Sequence, residues 1–490
     1  MKKVISLILS IVMIFGLVTV AFAGEENNGS NTDAVEYDGY PLVIVRGMDL
    51  NGIYYEYGTE NQEKAFKGVE AKDIISVLFK AIGQAIIHWD TDYAVDVMID
   101  YADEIMCHLA CNKDGSTKYN VSAKEYTGSV ANYPELGYYD KDEDGITKAA
   151  IEKFGADNVY FFNYDWRIDP YINAGKINTM VNRALEETGK DKVNIICCSM
   201  GGILTYSYMY KYGYDKINRV IFDSSTFCGT EVTGDLLRAK FDFRAYPLYR
   251  FLKENAVNDS KALDILWDVL YKTKIMDGAC KLATKFIDEI KDKTYHDFMR
   301  DCWGTMPVLW AITDTDVLDE AIEYMFGDDK EEYAGLLDLI EQYRKMNLAR
   351  DEYLRQAEED GVSICVVAGY NRAVAPCYSG SGYNGDTVID ANKMLGNAKV
   401  AFLGETLGDD YTGERVSADK MVDLSNCLFP ETTWAINGSP HVAGSYGTDM
   451  SEFYFTLIRS EGRVTVDTYE KYPQFMNSSS KEDLSPQFTK

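Results

Sequence analysis

Ser199 lies in the run Val193-Asn194-Ile195-Ile196-Cys197-Cys198-Ser199-Met200-Gly201-Gly202. An apolar run rich in β-branched residues leads into a serine. A glycine pair follows closely, and an apolar stretch from Ile203 to Tyr210 reads as helix. Strand, sharp turn and helix, with the serine at the tip, is the sequence form of a nucleophile elbow. A bare serine hydroxyl is a poor nucleophile. Such a turn lifts Oγ above the sheet toward a base and aims the first helical N–H groups at a reacting carbonyl. The usual G-x-S-x-G pattern keeps its last glycine at Gly201 but has Cys197 at the first position, a small side chain in a crowded turn. Taken alone, the segment equally describes an ordinary strand-to-helix turn, so its chemistry depends on partners elsewhere in the chain.

A serine nucleophile needs a base, an acid that orients the base, and donors for the oxyanion. The chain has four histidines: His88, His108, His296 and His441. In elbow folds the order is serine, then acid, then histidine. His441, in the turn-rich loop Asn437-Gly438-Ser439-Pro440-His441-Val442-Ala443-Gly444, alone leaves room for an acid before it. The expected acid is Asp386, in the tight turn of Tyr383-Asn384-Gly385-Asp386-Thr387-Val388, with Asp390, Asp409 and Asp410 as competitors. A G-D pair is also a common Asx turn. The expected oxyanion donors are the N–H of Met200, after the serine, and that of Met48, after the early run Val43-Ile44-Val45-Arg46-Gly47.

These residues resemble the α/β-hydrolase superfamily and, within it, the lecithin:cholesterol acyltransferase and lysosomal phospholipase group. The most specific mark is Tyr164-Asp165-Trp166-Arg167, ahead of the serine segment. Asn384-Gly385-Asp386-Thr387-Val388 is similar to the group's acid loop, and Cys302-Trp303-Gly304-Thr305-Met306-Pro307 resembles the stretch where its cap returns to the site. The resemblance covers the core in patches and the cap only near Trp303. Cys197, Cys198 and Arg46 depart from the group's pattern, which has glycine, histidine and proline or histidine there. The resemblance implies an acyl ester substrate, of lipid or phospholipid type, with Trp166 and Trp303 as candidates to line its pocket. From the residues themselves, Asp165 and Arg167 read as a structural ion pair.

The elements that must position these groups follow from periodicity. Strand and helix alternate from Tyr40 to Phe222, which indicates parallel α/β units. The expected fold is therefore the α/β-hydrolase fold: a mostly parallel sheet with helices on both faces and a large helical cap. The boundaries read as a signal peptide at 1–23, a flexible lead-in at 24–39, and a first core part at 40–228 with a helical insert about 60–130. A helical cap at 229–360, a second core part at 361–472 and a polar, disordered tail at 473–490 complete it. The signal is Lys2-Lys3, an apolar run from Val4 to Val20, and Ala21-Phe22-Ala23. It predicts secretion after cleavage near Ala23.

The formal net charge of −29 argues against nucleic-acid partners and against adsorption to anionic lipid by charge. Ten cysteines show no disulfide-scaffold spacing, and neither C-x-x-C nor H-E-x-x-H occurs, so no metal or other cofactor is expected. Asp140-Lys141-Asp142-Glu143-Asp144-Gly145 looks like the start of a calcium loop, but Ile151 occupies its twelfth position, which favours an acidic turn. The aromatic segment Phe241–Leu252 is either a lid that meets a lipid surface or ordinary cap core. The reading is a secreted serine hydrolase or acyltransferase. Its rivals are a carboxylesterase for small or carbohydrate esters and a non-catalytic binding protein on the same fold.

Overall fold

Alternate residues of the apolar runs fill opposite faces of one sheet. The computed structural model describes residues 37–68, 92–106, 108–137, 145–255, 261–442, 444, 449–478 and 483–487, with single positions between 77 and 88. The sheet has eight strands: β1 (Leu42–Val45), β2 (Val159–Phe162), β3 (Val193–Cys198), β4 (Ile217–Asp223), β5 (Ser363–Tyr370), β6 (Thr433–Asn437), β7 (Phe475–Asn477) and β8 (Ser485–Pro486). Their order is β8-β7-β6-β5-β4-β3-β1-β2, and every neighbouring pair except β7–β8 is parallel. Val43, Tyr160, Ile195, Val220 and Val366 enter one core, while Ile44, Phe161, Ile196, Ile221 and Val367 enter the other. This is the period-two alternation of a sheet covered on both sides.

The helices used below are α1 (Asp92–Met106), α2 (Gly145–Phe154), α3 (Pro170–Thr188), α4 (Gly201–Tyr212), α5 (Glu231–Leu237), α6 (Ala245–Asn255), α7 (Lys261–Lys272), α8 (Ile275–Thr294), α9 (Ala334–Glu359) and α10 (Asp449–Arg459). Ile177 and Val181 of α3 and Ile203 and Leu204 of α4 pack on one face of the sheet; α2 and α10 pack on the other. Local chemistry sets the limits of α3. Asp169 caps it by accepting from the Tyr171 amide (2.9 Å), Pro170 begins it, and Gly189 ends it in the left-handed region.

From Thr230 to Asp360 the described residues form helices joined by turns and loops, with no strand and a single isolated bridge between Thr230 and Thr313. They have no separate core: Trp310, Leu318 and Tyr343 share the cluster that holds β3 and α4. The last helix, α9, lies beside α4. Tyr206 Oη donates to Met346 O (2.6 Å), and Tyr353 Oη donates to Met209 O (2.5 Å). It leads directly into β5, so it is the crossover helix from β4 rather than a cover.

Two sequence expectations need correction. The tail is not uniformly irregular: Phe475–Asn477 and Ser485–Pro486 pair into the main sheet as β7 and β8, with Met476 fully buried. The insert is not purely helical: Ile53–Tyr55 pairs antiparallel with Glu63–Lys64 and Val121–Ala123. The signal, the lead-in up to Glu36 and the Asp140–Asp144 turn lie outside the described residues. Among the described residues no helix is long and apolar enough to cross a membrane.

The path of the chain fixes where a site can form. From β1 the chain moves outward to β2, then returns to place β3 on the other side of β1. Parallel sheets open a crevice at such a reversal, at the carboxyl ends of the two strands. Gly47 and Met48 follow β1, and Ser199 follows β3.

Candidate active site

Ser199 has φ 52°, a left-handed conformation rare for a residue with a side chain. Neighbouring strands hold it there. Its N–H donates to Asp223 O (3.1 Å), and its carbonyl accepts from the amides of Gly202 (3.1 Å) and Thr226 (2.9 Å). The backbone around it is crowded. A Cβ at Gly47 would lie 2.7 Å from Ser199 Cβ and 3.3 Å from its Oγ; one at Gly201 would lie 2.5 Å from Val45 O. Ser199 itself is half-buried, while Cys197 and Cys198 behind it are buried. Cys197 Sγ contacts Ile221 O at 3.5 Å, and burial pushes its thiol well up, so it fills space as an inert small residue. All nine described cysteines are unbonded.

Asp386 and His441 meet. His441 Nδ1 lies 2.6 Å from Asp386 Oδ2. Asp386 is fully buried, and its other oxygen accepts from the amides of Val388 (3.1 Å) and Ile389 (2.9 Å). Both carboxylate oxygens are thus engaged, which fixes the ring that faces them. A donor at Nδ1 leaves Nε2 as the free basic nitrogen. The acid follows β5 and the base follows β6, at the same sheet edge as Ser199 on β3.

The other histidines are engaged elsewhere. His88 stacks on Tyr93 and His108 on Tyr55, and His296 is exposed beside Asp297. Of the competing acids, Asp390 is buried and accepts from Thr230 Oγ1 (2.5 Å) and the Glu231 amide (3.0 Å), tying α5 to the acid loop.

Met200 is buried and Met48 is partly exposed, at the ends of β3 and β1. Among the described residues neither amide donates to a protein acceptor. Tyr164 Oη donates to Arg46 O (3.0 Å) and so holds the loop that carries Gly47 and Met48. The Arg46 side chain turns to Asp49 (3.0 Å) and to the Phe161 ring. Arg167 forms a two-pronged, buried pair with Asp165 (3.0 and 2.7 Å) and donates to His108 O and Leu109 O, joining the insert to the core. Trp166 is buried in the main core, with no partner for its indole N–H among the described residues, and Trp303 is half-buried at that core's margin. Among the described residues no group of three or more His, Cys, Asp or Glu side chains is arranged to hold a metal ion.

One residue escaped the sequence reading. Asp223 ends β4, beside the serine strand, and its carboxyl is buried. Tyr454 Oη on α10 donates to its Oδ1 (2.8 Å), and among the described residues Oδ2 has no hydrogen-bond partner. Burial pushes its pKa up to about 6; the Tyr454 hydroxyl, the His441 imidazole and the Ser224 hydroxyl pull it down, and Asp386 pushes it up. An acidic residue closing a buried apolar strand was the available signal.

No protein-family model and no curated protein matches the chain. Among solved structures that match is a chain from the crystal structure of the Tle4-Tli4 complex. The TM-score is 0.37 with 9% identity, over 86% of this chain and 99% of that one. At that TM-score the two chains share too little geometry for the likeness to bear on activity.

Proposed function

We propose that this protein is a serine-dependent ester hydrolase or acyltransferase of the α/β-hydrolase fold, acting on acyl esters of the lipid or phospholipid class. The observation that carries the reading is the Asp386–His441 pair at 2.6 Å, set at the same sheet edge as a serine held in a left-handed turn. Serine, acid and histidine also occur in that fold's chain order. Secretion, with the signal removed near Ala23, belongs to the same proposal.

In this mechanism Ser199 Oγ attacks the ester carbonyl carbon while His441 Nε2 takes its proton. Asp386 keeps the ring in the Nδ1–H tautomer and stabilises the imidazolium that forms. The Met48 and Met200 amides donate to the tetrahedral oxyanion. The imidazolium then gives its proton to the leaving alkoxide, and an acyl-enzyme remains. Water, or a second alcohol, is deprotonated by His441 and releases the acyl group, restoring the Ser199 hydroxyl. No cofactor takes part.

The lipid assignment is supported by the apolar surface of α7. Ile265, Leu266 and Val269 are exposed on it, and α7 packs on α6, whose Arg250 and Glu254 bond to Asn371 O and the Ala373 amide at the start of the acid-bearing segment. The test is hydrolysis of nitrophenyl esters of rising chain length beside Ser199→Ala, with capture of Ser199 by a fluorophosphonate probe. Loss of activity and of labelling in the variant is the expected result. Equal activity of the variant, or no labelling of the native protein, overturns the reading.

A further inference from the structure

A second carboxyl, that of Asp223, lies against the loop that carries His441. The Asp223 main chain holds the serine by accepting the Ser199 N–H, and its side chain lies under the loop that carries the base. That loop is pinned there. A Cβ at Gly444 would lie 3.0 Å from Asp223 Oδ2 and 2.1 Å from the Tyr454 ring, and Ser451 Oγ donates to Gly444 O (2.6 Å). Asp223 therefore bonds the backbone of the nucleophile with its carbonyl and meets the loop of the base with its carboxyl.

The groups that face Asp223 are few. Among the described residues, α10 gives the Tyr454 hydroxyl; the turn after β4, the Ser224 hydroxyl; the base loop, the His441 imidazole; the acid loop, Asp386; and β3, the thiols of Cys197 and Cys198. None is a fixed cation. The group here that can become one is His441, so two carboxyls share one titrating partner. An unpartnered, buried carboxylate oxygen is costly unless it is protonated or faces a positive charge. That charge arises when His441 takes the serine proton.

We propose that Asp223 is a second acid for His441: a positioning residue that, with Asp386, stabilises the imidazolium. This rests on the serine-hydrolase reading. As an anion, Asp223 stabilises the positive charge that His441 gains when it takes the serine proton. When Asp223 itself takes a proton at lower pH, that support is withdrawn. The acid limb of the rate profile is then set by two coupled groups rather than one.

The test is a proton titration of His441 in the full chain, read from histidine labelled with carbon-13 at Cε1. The four histidine signals are few enough to assign with His441→Gln. Asp223→Asn, nearly isosteric, lowers the His441 midpoint by about one pH unit. Tyr454→Phe removes one of the two hydroxyls that hold Asp223 as an anion, leaving that of Ser224, and gives a smaller fall. On a soluble nitrophenyl ester, Asp223→Asn moves the acid limb of kcat/KM down by the same amount, and kcat falls about tenfold with KM unchanged. A His441 midpoint unmoved in both variants overturns the proposal. The midpoint is read whether or not esters are cleaved. A shifted midpoint without fluorophosphonate capture therefore keeps the coupling and removes the hydrolase reading, while capture with an unmoved midpoint does the reverse.

Discussion

At Gly201 a single methyl group decides the geometry of the serine turn. An added Cβ would press on two backbone carbonyls, Val45 O at 2.5 Å and Arg46 O at 2.6 Å, and neither can swing aside as a side chain would. Gly201→Ala is expected to cost about 1–3 kcal/mol in urea unfolding and to slow fluorophosphonate capture, because β1 and β3 must separate. At Asp165 the cost comes from charge. Asp165→Ala leaves the buried Arg167 guanidinium without its carboxylate, and stability should fall by about 3–5 kcal/mol. At Asp223 the dependence is on pH. Its carboxyl is pushed up to about 6 in the folded protein, against 3.8 for an unburied aspartate. The folded state then binds the proton more tightly, so this group's contribution to stability falls as pH rises from about 4 to 6, by about 3 kcal/mol in all. Asp223→Asn should flatten that part of the stability profile; an unchanged slope in denaturant titrations at pH 4, 5 and 6 would count against it.

At the level of elements, α7 has an apolar face that the other described residues leave uncovered. Ile265→Asp with Leu266→Asp should cut activity on long-chain esters in vesicles about tenfold and leave soluble short-chain esters unaffected, since the side chains lie outside the core. Equal losses on both substrates would tie α7 to folding instead. The elements also show what a sequence carries and what it withholds. Long, strongly apolar strands such as Val193–Cys198 and Ser363–Tyr370 declare themselves, because burial on both faces demands it. His441 was legible because so few histidines compete and order along the chain is restrictive. Its 2.6 Å approach to Asp386 depends on β5 and β6 pairing in register, which no local signal encodes. Phe475–Asn477 is strand only because the edge of β6 is there to receive it. Helix α9 has the same apolar pattern whether it crosses between strands or covers a site. Asp223 went unread because its hydroxyl partner, Tyr454, stands 231 positions away.

Across the whole molecule, charge and topology act on different processes. The net charge of −29 and isoelectric point near 4.6 set how the protein meets a surface. Binding through α7 should be stronger to zwitterionic than to anionic vesicles at low salt. The gap should narrow as salt screens the repulsion, with a Debye length of about 8 Å at 0.15 M; a sedimentation assay at two salt concentrations decides it. Topology governs assembly. Arg219 on β4 and Ser363 on β5 are register partners 144 positions apart, and the whole helical segment lies between them. Arg219 also donates to the carbonyls of Leu457, Ile458, Ser460 and Gly462, where α10 ends. Joining β4 to β5 thus closes a very long loop before any gain from pairing is returned, and such closures are slow. Helical circular dichroism should therefore recover early when the denatured chain is diluted into buffer, with the proposed esterase activity lagging behind. In that interval the protein would be compact and helical yet catalytically silent, so enzyme activity would serve as a clock for the last step of folding.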